Sequence, residues 1–204
     1  MLKLQEALEH IANPAAPPLI MSSGVPRSGG LHLSTILRDL YGYSSKDAEK
    51  SQDEVYQANV AMSIGFAWEI LIGWAIGQVF HQADLEDAGI LIHPGEYELD
   101  GVRMSPDALW VYEDCLEEWK CTQRSTKRHI SEQRLWLWQA QSYCKAIGFT
   151  KVRFRVLHLR GDYGHGPSGQ PCVKTWVIEF TPEELEANWC MVMLHKDSKE
   201  WPVG

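Results

Sequence analysis

Ser105-Pro106-Asp107 and Glu118-Trp119-Lys120 are the residues of this chain whose types and spacing most directly suggest chemistry. An acid stands at the start of one short extended segment, and Glu-x-Lys lies on the next, with ten residues between Asp107 and Glu118. On a strand, Glu118 and Lys120 share a face while Trp119 points the other way. If the two segments pair as a hairpin, Asp107 and Glu118 converge from neighbouring strands, and Lys120 reaches the same point. Two carboxylates can hold a hard divalent cation such as Mg²⁺, which takes oxygen ligands. A cation beside an ammonium suits a phosphodiester. Glu117 competes with Glu118, but only Glu118 shares its parity with Leu116 and Lys120. Glu113, Asp114 and Glu117 are therefore read as exposed acids on the turn.

Two further patterns flank this hairpin. Upstream, Gly65, Glu69, Gly73 and Gly77 follow an i, i+4 rhythm in an apolar run. On a helix they form one stripe, whose small residues allow close approach to a sheet and would carry Glu69 toward Asp107. A charge in so apolar a stretch needs a partner. Downstream, Gln139 and Tyr143 are also i, i+4 and share a helix face. Taken in order over residues 60–145, these elements resemble the PD-(D/E)XK nuclease superfamily. Pro106-Asp107 and Glu118-Trp119-Lys120 match its signature. Gly65 to Glu69 looks like the Gly-x-x-x-Glu of the RecB-like branch, and Gln139 to Tyr143 like its Gln-x-x-x-Tyr helix.

The resemblance implies a restriction-endonuclease-like α/β core, a central mixed β-sheet flanked by α-helices. It implies Mg²⁺ (or Mn²⁺) held by Asp107, Glu118, the backbone carbonyl of Trp119 and Glu69. It also implies catalytic roles for Lys120, Gln139 and Tyr143. Lys120 would orient or deprotonate the attacking water, or stabilise the phosphorane, and the residues alone do not choose among these. Arg27-Ser28-Gly29-Gly30, followed by a helix containing Ser34, is similar in position to the segment that binds a DNA 5′-phosphate in lambda-type phage exonucleases and YqaJ-like recombinases. Arg124, Lys127 and Arg128, directly after the catalytic strand, form the densest basic patch and are read as DNA-backbone contacts. The expected activity is that of a metal-dependent phage-type exonuclease in recombination or DNA processing. DNA is the expected partner, with a single-strand annealing protein and a homo-oligomer as further expectations. The alternatives are a structure- or sequence-selective endonuclease, and a catalytically silent DNA- or protein-binding module on the same fold.

The elements that must position these residues follow from periodicity. Residues 2–12 and 31–40 read as short helices, and residues 53–80 as the main helical run. Strands are expected over 90–97, 102–104, 107–111, 116–121, 151–159 and 173–180. A helix over 131–147 ends at Gly148, and a last helix starts at Thr181-Pro182 with an N-cap and a proline at its first position. The whole chain, 1–204, reads as a single nuclease domain, with the helical segment 1–50 as a candidate end-binding appendage. Trp136 and Trp138 are assigned to the core. His158, Asp162 and His165 suggest a second metal site, but the glycine- and proline-rich segment 161–171 is better read as a mobile hairpin loop.

Bulk properties exclude several classes. With 204 residues and 45% hydrophobic content, the chain can bury a core. No uninterrupted apolar run approaches a membrane span: residues 64–80 come nearest, and they contain Glu69. The amphipathic, polar N-terminus lacks a signal-peptide core, so a cytoplasmic location is expected. A net charge of −8, from 27 acids and 19 bases, argues against a protein that coats nucleic acid non-specifically. It leaves room for a local basic channel. The five cysteines include no Cys-x-x-Cys and no C-terminal cluster, which argues against the iron–sulfur centre carried by some relatives of this branch.

Overall fold

The computed structural model describes residues 29–43, 51–79, 85 and 87–201, with the backbone alone for 52–59. Two helices come first, α1 (Leu33–Leu40) and α2 (Gln52–Val79). Five strands follow: β1 (Ile90–Ile92), β2 (Tyr97–Leu99), β3 (Val102–Met104), β4 (Ala108–Trp110) and β5 (Cys115–Thr122). Then come α3 (Arg134–Ile147), β6 (Lys151–His158), β7 (Cys172–Glu179) and α4 (Pro182–Asp197). The main sheet has the order β1-β4-β5-β6-β7, and β2 and β3 form a separate hairpin. β5 and β6 are parallel, joined by the crossover helix α3, and every other neighbouring pair is antiparallel. This is the mixed sheet flanked by helices that the sequence led us to expect.

Local chemistry accounts for the element boundaries. α4 opens on a reciprocal capping box: the Glu184 N–H donates to Thr181 Oγ1 (3.2 Å), and the Thr181 N–H donates to Glu184 Oε2 (2.9 Å). α3 stops at Gly148, whose positive φ of 88° lets its N–H reach Cys144 O at 2.9 Å. The single strand expected over 90–97 is split into β1 and β2. His93 (φ 48°) and Gly95 (φ 100°) take left-handed conformations there and turn the chain out of the sheet. The expected start of α3 at Ser131 is instead a 3-10 turn over Ile130–Glu132, with the helix beginning at Arg134.

Both faces of the sheet are covered, unequally. Strand β6 alternates strictly, burying Val152, Phe154, Val156 and His158 on one face. That face meets α1, α3 and α4 in the main core, together with Leu116 of β5, Tyr143 of α3 and Trp189 of α4. α1 contributes Leu33, Ile36 and Leu37 to this core. Of the segment 1–50 expected as an end-binding appendage, residues 1–28 and 44–50 lie outside the described residues. On the opposite face a smaller cluster joins Trp68 and Ile72 of α2 to Ala108 and Trp119. By length and composition Val60–Val79 would pass as a membrane span, contrary to the sequence reading, yet Trp68 and Ile72 seat it on the sheet. Of the glycine stripe on α2, only Gly73 makes a close approach. A Cβ there would lie 3.6 Å from Ile92 and 3.7 Å from the Trp119 ring, whereas Gly65 and Gly77 face no atom within 4 Å. The 161–171 loop closes on itself, with the Asp162 N–H bonded to Ser168 O at 2.8 Å, and among the described residues no metal-binding cluster forms there.

Candidate active site

The β4–β5 hairpin brings the two signature acids together. The ladder ends at the pair Ala108–Glu117, which leaves Asp107 just beyond the strand. Its carboxylate then accepts the Trp119 N–H at 2.7 Å, so the side chain takes over where the backbone ladder stops. One residue away, Glu118 is completely buried, and its Oε2 accepts a hydrogen bond from Lys120 Nζ at 2.5 Å. Lys120 Nζ is also 3.9 Å from Asp107 Oδ2. The ammonium thus bridges the two carboxylates. The other oxygen of Glu118, Oε1, is buried and has no hydrogen-bond partner in the protein.

Above this pair opens a cleft of about 130 Å³, far more than the ~10–15 Å³ that one water requires. Asp107 and Lys120 line it from the sheet, Glu69 from α2, Ser34 from α1, and Gln139 and Tyr143 from α3. Glu118 lies beneath its floor. Gln139 Nε2 donates to the Tyr143 hydroxyl at 2.8 Å, which fixes both side chains on the face predicted from their spacing.

Electrostatics make the site strained in charge. Burial pushes Glu118 up to about 8; nearby Asp107 adds to this and Lys120 opposes it. Burial likewise raises Asp107, against the pull of Lys120 and the Trp119 N–H. Burial alone would lower Lys120, but Glu118 and Asp107 together outweigh it and hold the ammonium above its ordinary range. Tyr143 is raised by burial and then by Glu118, so its hydroxyl stays protonated. All four groups are thus shifted upward, with burial the leading cause for Asp107, Glu118 and Tyr143.

Not every residue singled out in the sequence comes to this cleft. Among the described residues, no three Asp, Glu, His or Cys side chains converge as a metal-binding group. Asp107 and Glu118 converge on Lys120, whereas Glu69 shares the cleft without closing a triad. Arg124, Lys127 and Arg128 do not line it. Arg124 donates to Gln133 Oε1 at 2.8 Å, Lys127 lies 3.7 Å from Asp162, and Arg128 lies 3.6 Å from Glu132. The loop after β5 turns these bases toward their own neighbours. Arg27 lies outside the described residues. Glu117, read as an exposed acid, is fully buried, because β5 is a central strand with cover on both faces. The cleft also holds Phe66, His32, His93 and Arg103, which sequence reasoning missed. They come from separate elements, and no local pattern joins them. Only the alternation of Val102-Arg103-Met104 hinted that Arg103 faces away from the core.

No protein-family model matches the sequence, and no curated protein matches it. Among solved structures, the chain is similar to a phage-related exonuclease from Haemophilus somnus 129PT, at 11% identity and a TM-score of 0.44, over 82% of this chain and 92% of that one. It is also similar to LHK-Exo, an alkaline exonuclease from Laribacter hongkongensis, in a structure with dAMP. There the identity is 17% and the TM-score 0.48, over 83% of this chain and 87% of that one.

Proposed function

We propose that the chain is a metal-dependent DNA nuclease that hydrolyses phosphodiester bonds, working as a phage-type exonuclease in recombination or DNA processing. The observation that carries this reading is the buried, unpartnered Oε1 of Glu118 beside Asp107 and Lys120, under a cleft with room for a hydrated ion and a phosphate. A buried carboxylate oxygen without a donor is costly unless something positive meets it. An all-oxygen donor set of this kind fits Mg²⁺ or Mn²⁺ better than a softer metal. Asp107, Glu118 and the Trp119 carbonyl are the donors, with Glu69 acting directly or through water. When bound, such an ion would neutralise phosphate charge and lower the pKa of a bound water.

The protein's own groups define the rest. Lys120 is held protonated, which supports a role as hydrogen-bond donor and fixed charge toward a non-bridging phosphate oxygen. The same shift weighs against Lys120 as the base that takes a proton from water. Gln139 and Tyr143 present a fixed amide and hydroxyl at the cleft wall, suited to orienting a phosphate or the attacking water. Ser34, in the first turn of α1, and Arg27 are the proposed ligands of a DNA 5′-phosphate. Arg124, Lys127 and Arg128 would meet only DNA that extends beyond the cleft. The test is degradation, in Mg²⁺, of one sequence as linear duplex, linear single strand and closed circle. Loss of the linear forms alone supports an end-dependent exonuclease. Cutting of the circle supports an endonuclease. No cleavage of any form, in Mg²⁺ or Mn²⁺, refutes the nuclease reading.

A further inference from the structure

On the face of β5 turned away from Glu118, Glu117 is also completely buried. It accepts hydrogen bonds from Trp119 Nε1 at 2.9 Å, Arg155 Nε at 2.5 Å and Arg153 Nη1 at 3.3 Å. The parallel register makes this possible, setting Arg153 beside Glu117 and Arg155 beside Trp119. Arg153 is held in turn by Glu113 at 2.6 Å, so two acids and two guanidiniums balance.

What it holds is the Trp119 indole. The far edge of that ring packs where α2 comes closest, against Gly73, one turn after Glu69. The ring also makes a T-shaped contact with His93, with centroids 5.6 Å apart. The backbone N–H of the same residue holds Asp107. A single residue therefore touches α2, which carries Glu69, and the hairpin, which carries Asp107 and Glu118. We propose that Glu117, Arg155 and the Trp119 indole form a brace that sets the spacing between Glu69 on the helix and the two acids on the sheet. Glu117 and Arg155 are then positioning residues for the cation that these acids hold. The inference rests on the metal-dependent reading given above.

The test measures Mn²⁺ binding by calorimetry, and hydrogen exchange of the residue-119 amide in metal-free protein, for the wild type, Glu117→Gln and Trp119→Phe. Trp119→Phe removes the indole N–H while leaving Glu117 with both arginines, so it cuts the brace without exposing a buried charge. The brace predicts Mn²⁺ binding weakened roughly 10–100-fold, the range seen when supporting partners of metal ligands are removed. It also predicts faster exchange of the residue-119 amide than of the other β5 amides, beyond the general lowering of stability that the lost ring volume brings. If Glu117→Gln does not fold, Trp119→Phe decides the matter. Wild-type affinity and wild-type amide protection in Trp119→Phe overturn the brace while leaving the metal site standing. No Mn²⁺ binding by the wild type overturns the metal reading, and the brace with it.

Discussion

If Asp107 and Glu118 hold a divalent cation, binding must displace a proton. Burial lifts Glu118 to about 8, so in the metal-free protein its protonated form is favoured at pH 7. A ligating carboxylate must be ionised. Titration with Mn²⁺ at pH 7 should therefore release a proton from Glu118, and the release should fade as pH rises past about 8. Apparent affinity should rise close to tenfold per pH unit below about 8 and level off above it. Calorimetry in two buffers of different ionisation enthalpy reads the proton count directly. The same shift sets the sign of the stability change in metal-free protein. The folded state keeps a proton that the unfolded chain has shed, so stability falls as pH rises from about 4.5 through about 8, by up to about 1.4 kcal/mol per pH unit. Metal should reverse this loss. Binding without proton release at pH 7, and with affinity flat from pH 6 to 8, would refute the argument. In Glu118→Gln the proton release should disappear.

Two further outcomes follow from the packing. Tyr143→Phe removes the hydroxyl that receives Gln139, and should cost about 1 kcal/mol of stability while lowering DNA cleavage at least about tenfold; denaturant unfolding and initial rates check the two separately. Gly73→Ala adds a Cβ that meets Ile92 and Trp119 at ordinary contact distance and gains helix propensity, so it should be neutral or stabilising by up to about 1 kcal/mol. Gly73→Leu should push α2 off Trp119, destabilise by about 1–3 kcal/mol and weaken Mn²⁺ binding; thermal melts with and without the ion distinguish the pair.

The site was legible where its residues lie close in sequence. Asp107, Glu118 and Lys120 belong to one hairpin, and the period of a strand alone predicts that Glu118 and Lys120 share a face. Gln139 and Tyr143 were legible for the same reason, through the helical period. Reasoning failed where the answer depended on what covers a surface. Parity correctly assigned Glu117 to the face opposite Glu118, but that face is closed by α2 and by the arginines of β6, so the acid is buried. For the basic residues after β5, expected as DNA-backbone contacts, the sequence does not tell which way the loop points. The loop sets them beside Gln133, Asp162 and Glu132, outside the cleft, a matter of tertiary geometry. His93 and Arg103 reach the cleft from separate elements, and only the alternation around Arg103 hints at it. The β1–β2 break carries a local signal, the turn dipeptide Pro94-Gly95 directly after the left-handed His93, which the apolar run Ile90-Leu91-Ile92 outweighed in the reading of 90–97 as one strand.

The most direct test of the account is cleavage of 5′-phosphorylated linear duplex DNA by the wild type and by Lys120→Ala, each in Mg²⁺ and in chelator. The account predicts cleavage by the wild type in Mg²⁺, none in chelator, and loss of at least about a hundredfold in folded Lys120→Ala. Equal cleavage by the variant, or cleavage by the wild type that survives chelation, would contradict it.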